Sequence, residues 1–169
     1  IKDKLKERRE DILNDCDERF FSKKEINKLI GKNLEFFSSQ SFKYSLIHGD
    51  FCFSNILYNR RNNNFKLIDP RGYLSKLQGF SPYGPSVYDY FKLAHSYVCK
   101  YDWIIAGETE SIANIKDINN RLSVFSKLSD IEEELLRYGM QNLFFSMIPL
   151  HKDCKIRQRQ FFEISKTLV

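Results

Sequence analysis

Apolar residues recur at helical spacing towards both ends of the chain, and the middle carries short apolar runs separated by polar turns. Over residues 3–16 a strongly charged stretch is broken by Leu5, Ile12 and Leu13, which predicts a charged helix with a narrow buried stripe. Ser22 followed by Glu25 is a capping-box pattern and predicts the start of a second helix, with Ile26, Leu29, Ile30, Leu34 and Phe37 on its buried face. Gly31 works against that helix, since glycine costs about 1 kcal/mol in a helix interior. At residue 44 the texture changes. Tyr44-Ser45-Leu46-Ile47 reads as a short strand, and Ile56-Leu57-Tyr58 and Phe65-Lys66-Leu67-Ile68 read as two more, joined by a polar turn over 59–64. The stretch from Gly72 to Pro85 holds glycines and prolines without a period and reads as a loop. Helices are predicted again over 86–100, 130–148 and 153–167, while 104–129 gives no clear pattern. No internal repeat is visible. The expected fold class is α+β and mostly α, with a short β-hairpin set into one helical domain.

Composition narrows the classes. A chain of 169 residues and 20.1 kDa fits one domain, or one lobe of something larger. It begins with Ile1 rather than Met, which predicts that something upstream has been removed. No apolar run approaches the roughly 20 residues of a membrane span, and the first residues are too polar for a secretion signal. The formal charge is +5, yet the positive residues are interleaved with acids. The most concentrated basic stretch, HKDCKIRQRQ, reads as a solvated helix face rather than a phosphate-binding patch, so no nucleic-acid partner is expected. Cys16, Cys52, Cys99 and Cys154 form no CxxC pair. His48, His95 and His151 each precede a cysteine by three or four residues, a spacing that could ligate zinc on a helix, but the pairs lie far apart and ordinary buried thiols are expected. A reducing cytoplasm is the natural compartment. The aromatic content, 15%, predicts an aromatic-rich core or an aromatic-lined pocket.

Candidate chemistry concentrates in LIHGDFCFSNILYNRRNNNFKLIDPRG, residues 46–72. Asp50 follows a strand in a loop begun by Gly49, where a carboxylate can accept a proton from a hydroxyl. Asn55 offers a carbonyl oxygen just before the next strand. Asp69 ends the strand after that, and the hairpin should return it to face Asn55. One Asn and one Asp oxygen with open space between them suit Mg²⁺, which keeps waters and takes further ligands from phosphates. A base beside such a site is what phosphoryl transfer to a hydroxyl needs, and its carboxylate should be free of any buried partner. The alternative is that Asp50 and Asn55 cap turns and Asp69 opens a proline turn.

The order His48-Gly49-Asp50, four residues, Asn55, then Asp69-Pro70-Arg71-Gly72 resembles the catalytic segment of the kinase superfamily. The Gly at the second position and Asp-Pro at the metal position are similar to the small-molecule branch, the aminoglycoside phosphotransferases and the choline and ethanolamine kinases. Tyr88-Asp89-Tyr90-Phe91-Lys92-Leu93 is similar to the helix start that follows in that branch. The resemblance implies the C-terminal lobe of a protein-kinase-like small-molecule kinase, with Mg²⁺ and ATP as cofactors. It implies Asp50 as catalytic base, Asn55 and Asp69 as metal ligands, His48 as a brace of the loop, and Asp89 as a structural acid at a helix N-terminus.

Departures from that pattern are as informative. No glycine-rich loop is present, since Gly79 to Gly84 carries Pro82 and lacks a following lysine, and no strand before residue 44 offers a lysine paired with a helical glutamate. The N-terminal nucleotide-binding lobe of the family is absent from this stretch and is the expected partner; alone, the chain should be inactive or weakly active. The acceptor should be a small hydroxyl compound, with a sugar or amino alcohol used in cell-surface polysaccharide synthesis as the expected class. Tyr83, Tyr88, Tyr97, Tyr101, Asp102 and Trp103 could line its pocket or simply pack the core. Arg71 could contact phosphate or substrate, or form a structural ion pair. The rival function is a non-catalytic binding or interaction module built on a degenerate kinase lobe.

Overall fold

The computed structural model describes residues 1–71, 81–108 and 114–169. It is α+β and mostly helical, with two small two-stranded sheets. Helices α1 (Lys2–Asn14) and α2 (Lys23–Ser39) pack on each other and on α6 (Glu133–Met147), which also holds α3 (Val87–Tyr97) and α7 (Lys155–Leu168). Every position of α6 from Gly139 to Met147 is buried, as expected of a helix surrounded by others. Short α4 (Tyr101–Ile105) and α5 (Ile115–Ser129) complete the helical body, and α5 occupies residues 115–129 of the stretch that had no readable pattern.

The predicted core stripes are present, with differences. Leu5 and Ile12 are fully buried in α1. In α2, Ile26, Ile30 and Phe37 are buried, while Leu29 and Leu34 pack partly against the core. Ser22 does precede α2, but the capping box does not form. Its side chain makes no cap bond, and Glu25 reaches instead to Lys166 of α7, 3.1 Å away. Asn33 joins the buried face through polar bonds. Its amide donates to Gln141 Oε1 (2.9 Å), its Oδ1 accepts from Asn142 (2.9 Å), and Gln141 donates to the Ser165 carbonyl (2.9 Å). A fully satisfied buried network of this kind fixes the register of α2, α6 and α7.

Strand β1 (Tyr44–Leu46) pairs antiparallel with β4 (Tyr83–Pro85), Tyr44 opposite Pro85 and Leu46 opposite Tyr83. The part of the predicted loop over 72–80 lies outside the described residues; its end, 83–85, is strand β4, so the loop reading is corrected there. Strands β2 (Ile56–Asn59) and β3 (Asn64–Leu67) form the predicted hairpin, with Ile56 opposite Leu67. Its apolar side chains stay outside: Leu57, Tyr58, Phe65 and Leu67 are all about half exposed or more. The basic stretch near the C-terminus is only partly a solvated face. Arg159 pairs with Glu163 and Arg157 with Asp153, while Gln158 and Gln160 are buried. Among the described residues, no helix is long and apolar enough to cross a membrane.

Candidate functional site

After β1 the chain makes a tight loop whose bonds are supplied by α3. Gly49 has φ +77°, and a Cβ there would lie 3.2 Å from both Cβ and O of Arg71, so the turn and the close approach together call for glycine. The Asp89 carboxylate accepts from the backbone N–H of His48 (2.7 Å) and of Gly49 (2.8 Å). His48 Nδ1 accepts from the Asp50 N–H (3.3 Å), which places the ring proton on Nε2, and Nε2 donates to the Ile68 carbonyl (2.9 Å). The Arg71 N–H donates to the His48 carbonyl (2.7 Å). His48 thus ties the loop to the chain leaving β3 at two points.

The hairpin brings Asp69 back towards Asn55. A single 3-10 turn, Phe53–Asn55, leads into β2, and the Asn55 carbonyl accepts from the Ile68 N–H (3.1 Å), one residue before Asp69. The Asn55 amide nitrogen donates to the Asp50 carbonyl (2.8 Å), which leaves Oδ1 as the free end of that side chain. Asp69 is exposed, has φ +54°, and its carboxylate has no partner among the described residues. A left-handed conformation costs a non-glycine residue about 1–2 kcal/mol and is the kind of strain that functional positions retain.

Asp50 differs from expectation. Its carboxylate was expected to have no buried partner, but Lys92 Nζ, almost wholly buried, lies 2.7 Å from Oδ1, and Arg71 lies 3.6 Å from Oδ2. Burial pushes the Asp50 carboxyl up, but the charge and hydrogen bond of Lys92, with Arg71, outweigh it and hold the group below the usual carboxylate range. Arg71 therefore stands beside Asp50 as an ion-pair neighbour while about a third of its side chain stays exposed.

Among the described residues, the six candidate pocket residues do not line one common pocket. Tyr88 is in the core, its hydroxyl accepting from the buried Lys4 (3.2 Å), and burial raises its pKa well above the usual phenol value. Tyr97 packs on Phe125, and Tyr101 stacks on His95 at 4.3 Å. Tyr83 is exposed on β4. Asp102 and Trp103 share a cleft, of about 380 Å³, with Phe53, Ser54, Ala106 and Glu108. Asp102 Oδ1 accepts from the Ser54 N–H (3.1 Å), so this cleft opens beside the turn that carries Asn55. A smaller cleft between the α1–α2 connection and α7, about 170 Å³ and lined by Phe20 and Phe162, contains none of these residues.

Lys92 and Ser96 went unnoticed in the sequence. Ser96 Oγ accepts from the Phe53 N–H (3.3 Å). With Asp89 they stand at i, i+3 and i+7, one face of α3, and a polar stripe at that spacing inside an otherwise apolar helix was the available signal. The donor set at Asn55 and Asp69, one amide and one carboxylate oxygen, fits a hard cation such as Mg²⁺. Among the described residues no three His, Cys, Asp or Glu side chains cluster as a metal site, and a magnesium ion completed by water and phosphate needs no such cluster. The four cysteines are unpaired. No family model, curated protein or solved structure matches the chain.

Proposed function

We propose that this chain is the C-terminal, protein-kinase-like lobe of an ATP- and Mg²⁺-dependent phosphotransferase that acts on a hydroxyl of a small molecule. The observation that carries the reading is one loop system in which Asp50, the Oδ1 of Asn55 and the Asp69 carboxylate, the last two without a partner among the described residues, are held by a shared set of backbone bonds to His48, Ile68 and Asp89. Asn55 and Asp69 would hold the magnesium, whose charge would offset that of the transferring phosphate. Asp50 orients the acceptor hydroxyl and takes its proton late, because a carboxylate held ionised by Lys92 is a weak base. Arg71, partly exposed beside it, is placed to meet phosphate oxygens. The cleft of Asp102 and Trp103 suits a sugar or amino alcohol, with the indole face against the ring or cation and the carboxylate against its polar edge. A product used in cell-surface polysaccharide synthesis is part of this proposal.

The exposed apolar hairpin beside the metal residues supports a second lobe closing over it, as the family resemblance implies. One observation favours the rival reading, a non-catalytic binding module: the Lys92 ion pair engages the carboxylate that should be free. Calorimetric titration of Mg-ATP into the chain, beside Asp69→Asn and Asn55→Ala, separates the two. Binding that is lost in both variants supports the phosphotransferase. Absence of binding in the parent chain fits both the module and a lobe without its N-terminal partner, which repeating the titration with the upstream lobe restored separates, and equal binding by all three overturns the metal assignment.

A further inference from the structure

Three side chains of α3 meet the 48–55 segment, and they do different work. Asp89 and Ser96 hold backbone N–H groups, of His48, Gly49 and Phe53. Lys92, between them on the same face, is the one that holds a side chain. Burying an ammonium is costly unless it is well paired, and an apolar residue would fill the same place in the core. Lys92 is 4% exposed, and its Nζ lies 2.7 Å from Asp50 Oδ1. Asp50 Oδ2 lies on the other side, 3.6 Å from the partly exposed Arg71.

We infer that Lys92 is the positioning residue of Asp50: its ammonium fixes the carboxylate with Oδ1 turned inward and leaves Oδ2, on the Arg71 side, as the oxygen that meets a substrate hydroxyl. The inference rests on reading Asp50 as the base. Other charged and titratable groups face the same carboxylate. Lys4 of α1 is engaged with the Tyr88 hydroxyl, and Arg8 of α1 donates to the Ser146 carbonyl. His95 of α3 is buried and its pKa is pushed down by burial, Asp89 is engaged with the loop, and Tyr101 of α4 lies nearby. Lys92 is the group in direct contact, so its removal has the largest effect.

The test is the pH titration of the Asp50 side-chain carboxyl carbon by NMR, in the parent chain, Lys92→Met and Lys92→Arg. An opposite charge at contact moves a carboxyl by about one unit or more. The midpoint should rise by at least that much in Lys92→Met and stay near the parent value in Lys92→Arg; an unmoved midpoint in Lys92→Met overturns the inference. Should Lys92→Met not fold, Asp50→Asn gives the reciprocal reading. The Lys92 ammonium protons, slow to exchange while bonded to the carboxylate, should exchange at least about tenfold faster in that variant, corresponding to about 1.4 kcal/mol; an unchanged rate overturns the inference. Neither readout needs nucleotide, so a failure of Mg-ATP binding would count against the proposed reaction and leave the Lys92 result to be judged separately.

Discussion

Asp89→Ala removes the group that holds the start of the loop after β1. Its carboxylate accepts two backbone N–H bonds, 2.7 Å from His48 and 2.8 Å from Gly49. Gly49 is buried and His48 half-buried, so water replaces those bonds poorly. Hydrogen bonds to a charged group contribute about 1.5–3 kcal/mol each, and two on one carboxylate do not add fully, so the expected loss is about 3 kcal/mol. For a chain of this size that lowers the midpoint of thermal unfolding by about 6–12 °C. Urea unfolding measures the global term, and amide hydrogen exchange at His48 and Gly49 measures the local one, where 3 kcal/mol corresponds to a loss of protection of about a hundredfold. Glu10→Ala, on the exposed face of α1, should stay within about 0.5 kcal/mol of the parent. Asp89→Asn, which keeps one acceptor, should fall between. A loss below about 1 kcal/mol in Asp89→Ala, with both amides still protected, would refute the claim that Asp89 holds this loop.

Two glycines in helices should respond to alanine with opposite signs. Gly31 has open space where a Cβ would go, so Gly31→Ala should stabilise by about 1 kcal/mol in urea unfolding. A Cβ on Gly139 would lie 2.4 Å from the ring of the fully buried Phe91, so Gly139→Ala should destabilise by about 1–3 kcal/mol despite the same gain in propensity, and equal effects at the two sites would contradict the packing of α3 on α6. His95 predicts a pH dependence: fully buried, with Nδ1 donating to the Lys92 carbonyl and Nε2 unpartnered, it is held neutral by burial, well below its ordinary range. As pH falls below about 6.5 the unfolded chain binds a proton that the folded chain refuses, so its contribution to stability drops by about 1.4 kcal/mol per pH unit. His95→Gln should flatten the stability profile between about pH 6.5 and 5, and an unchanged slope would contradict a neutral imidazole.

Local pattern carried much of this architecture. The stripe Ile26, Ile30 and Phe37 marked α2, and the polar turn between Tyr58 and Phe65 marked the hairpin, because both signals arise from residues near one another in sequence. Pairings across long separations left weaker marks. Strand β4 is only three residues with a glycine and a proline, and it exists because Tyr44–Leu46 lies opposite it. Glu25 looked like a capping partner of Ser22, but Lys166, distant in sequence, offers it a charge. At the candidate site, His48, Asp50, Asn55, Asp69 and Asp89 were legible because their order and spacing are distinctive. Lys92 was not, because an isolated lysine in a helix usually faces water, and nothing in the sequence alone announces that this one is buried against Asp50.

The central claim is that Asn55 and Asp69 hold a metal–phosphate group beside Asp50. Mn²⁺ can replace Mg²⁺ as a probe, because both take carboxylate, carbonyl and water oxygens and Mn²⁺ broadens NMR signals close to it. Titrating Mn-ATP into the isotope-labelled chain should broaden the signals of Asp50, Asn55, Ile68 and Asp69 first, and Asp69→Asn should abolish that selective loss. Broadening spread over the surface acids, or unchanged in the variant, would contradict the account.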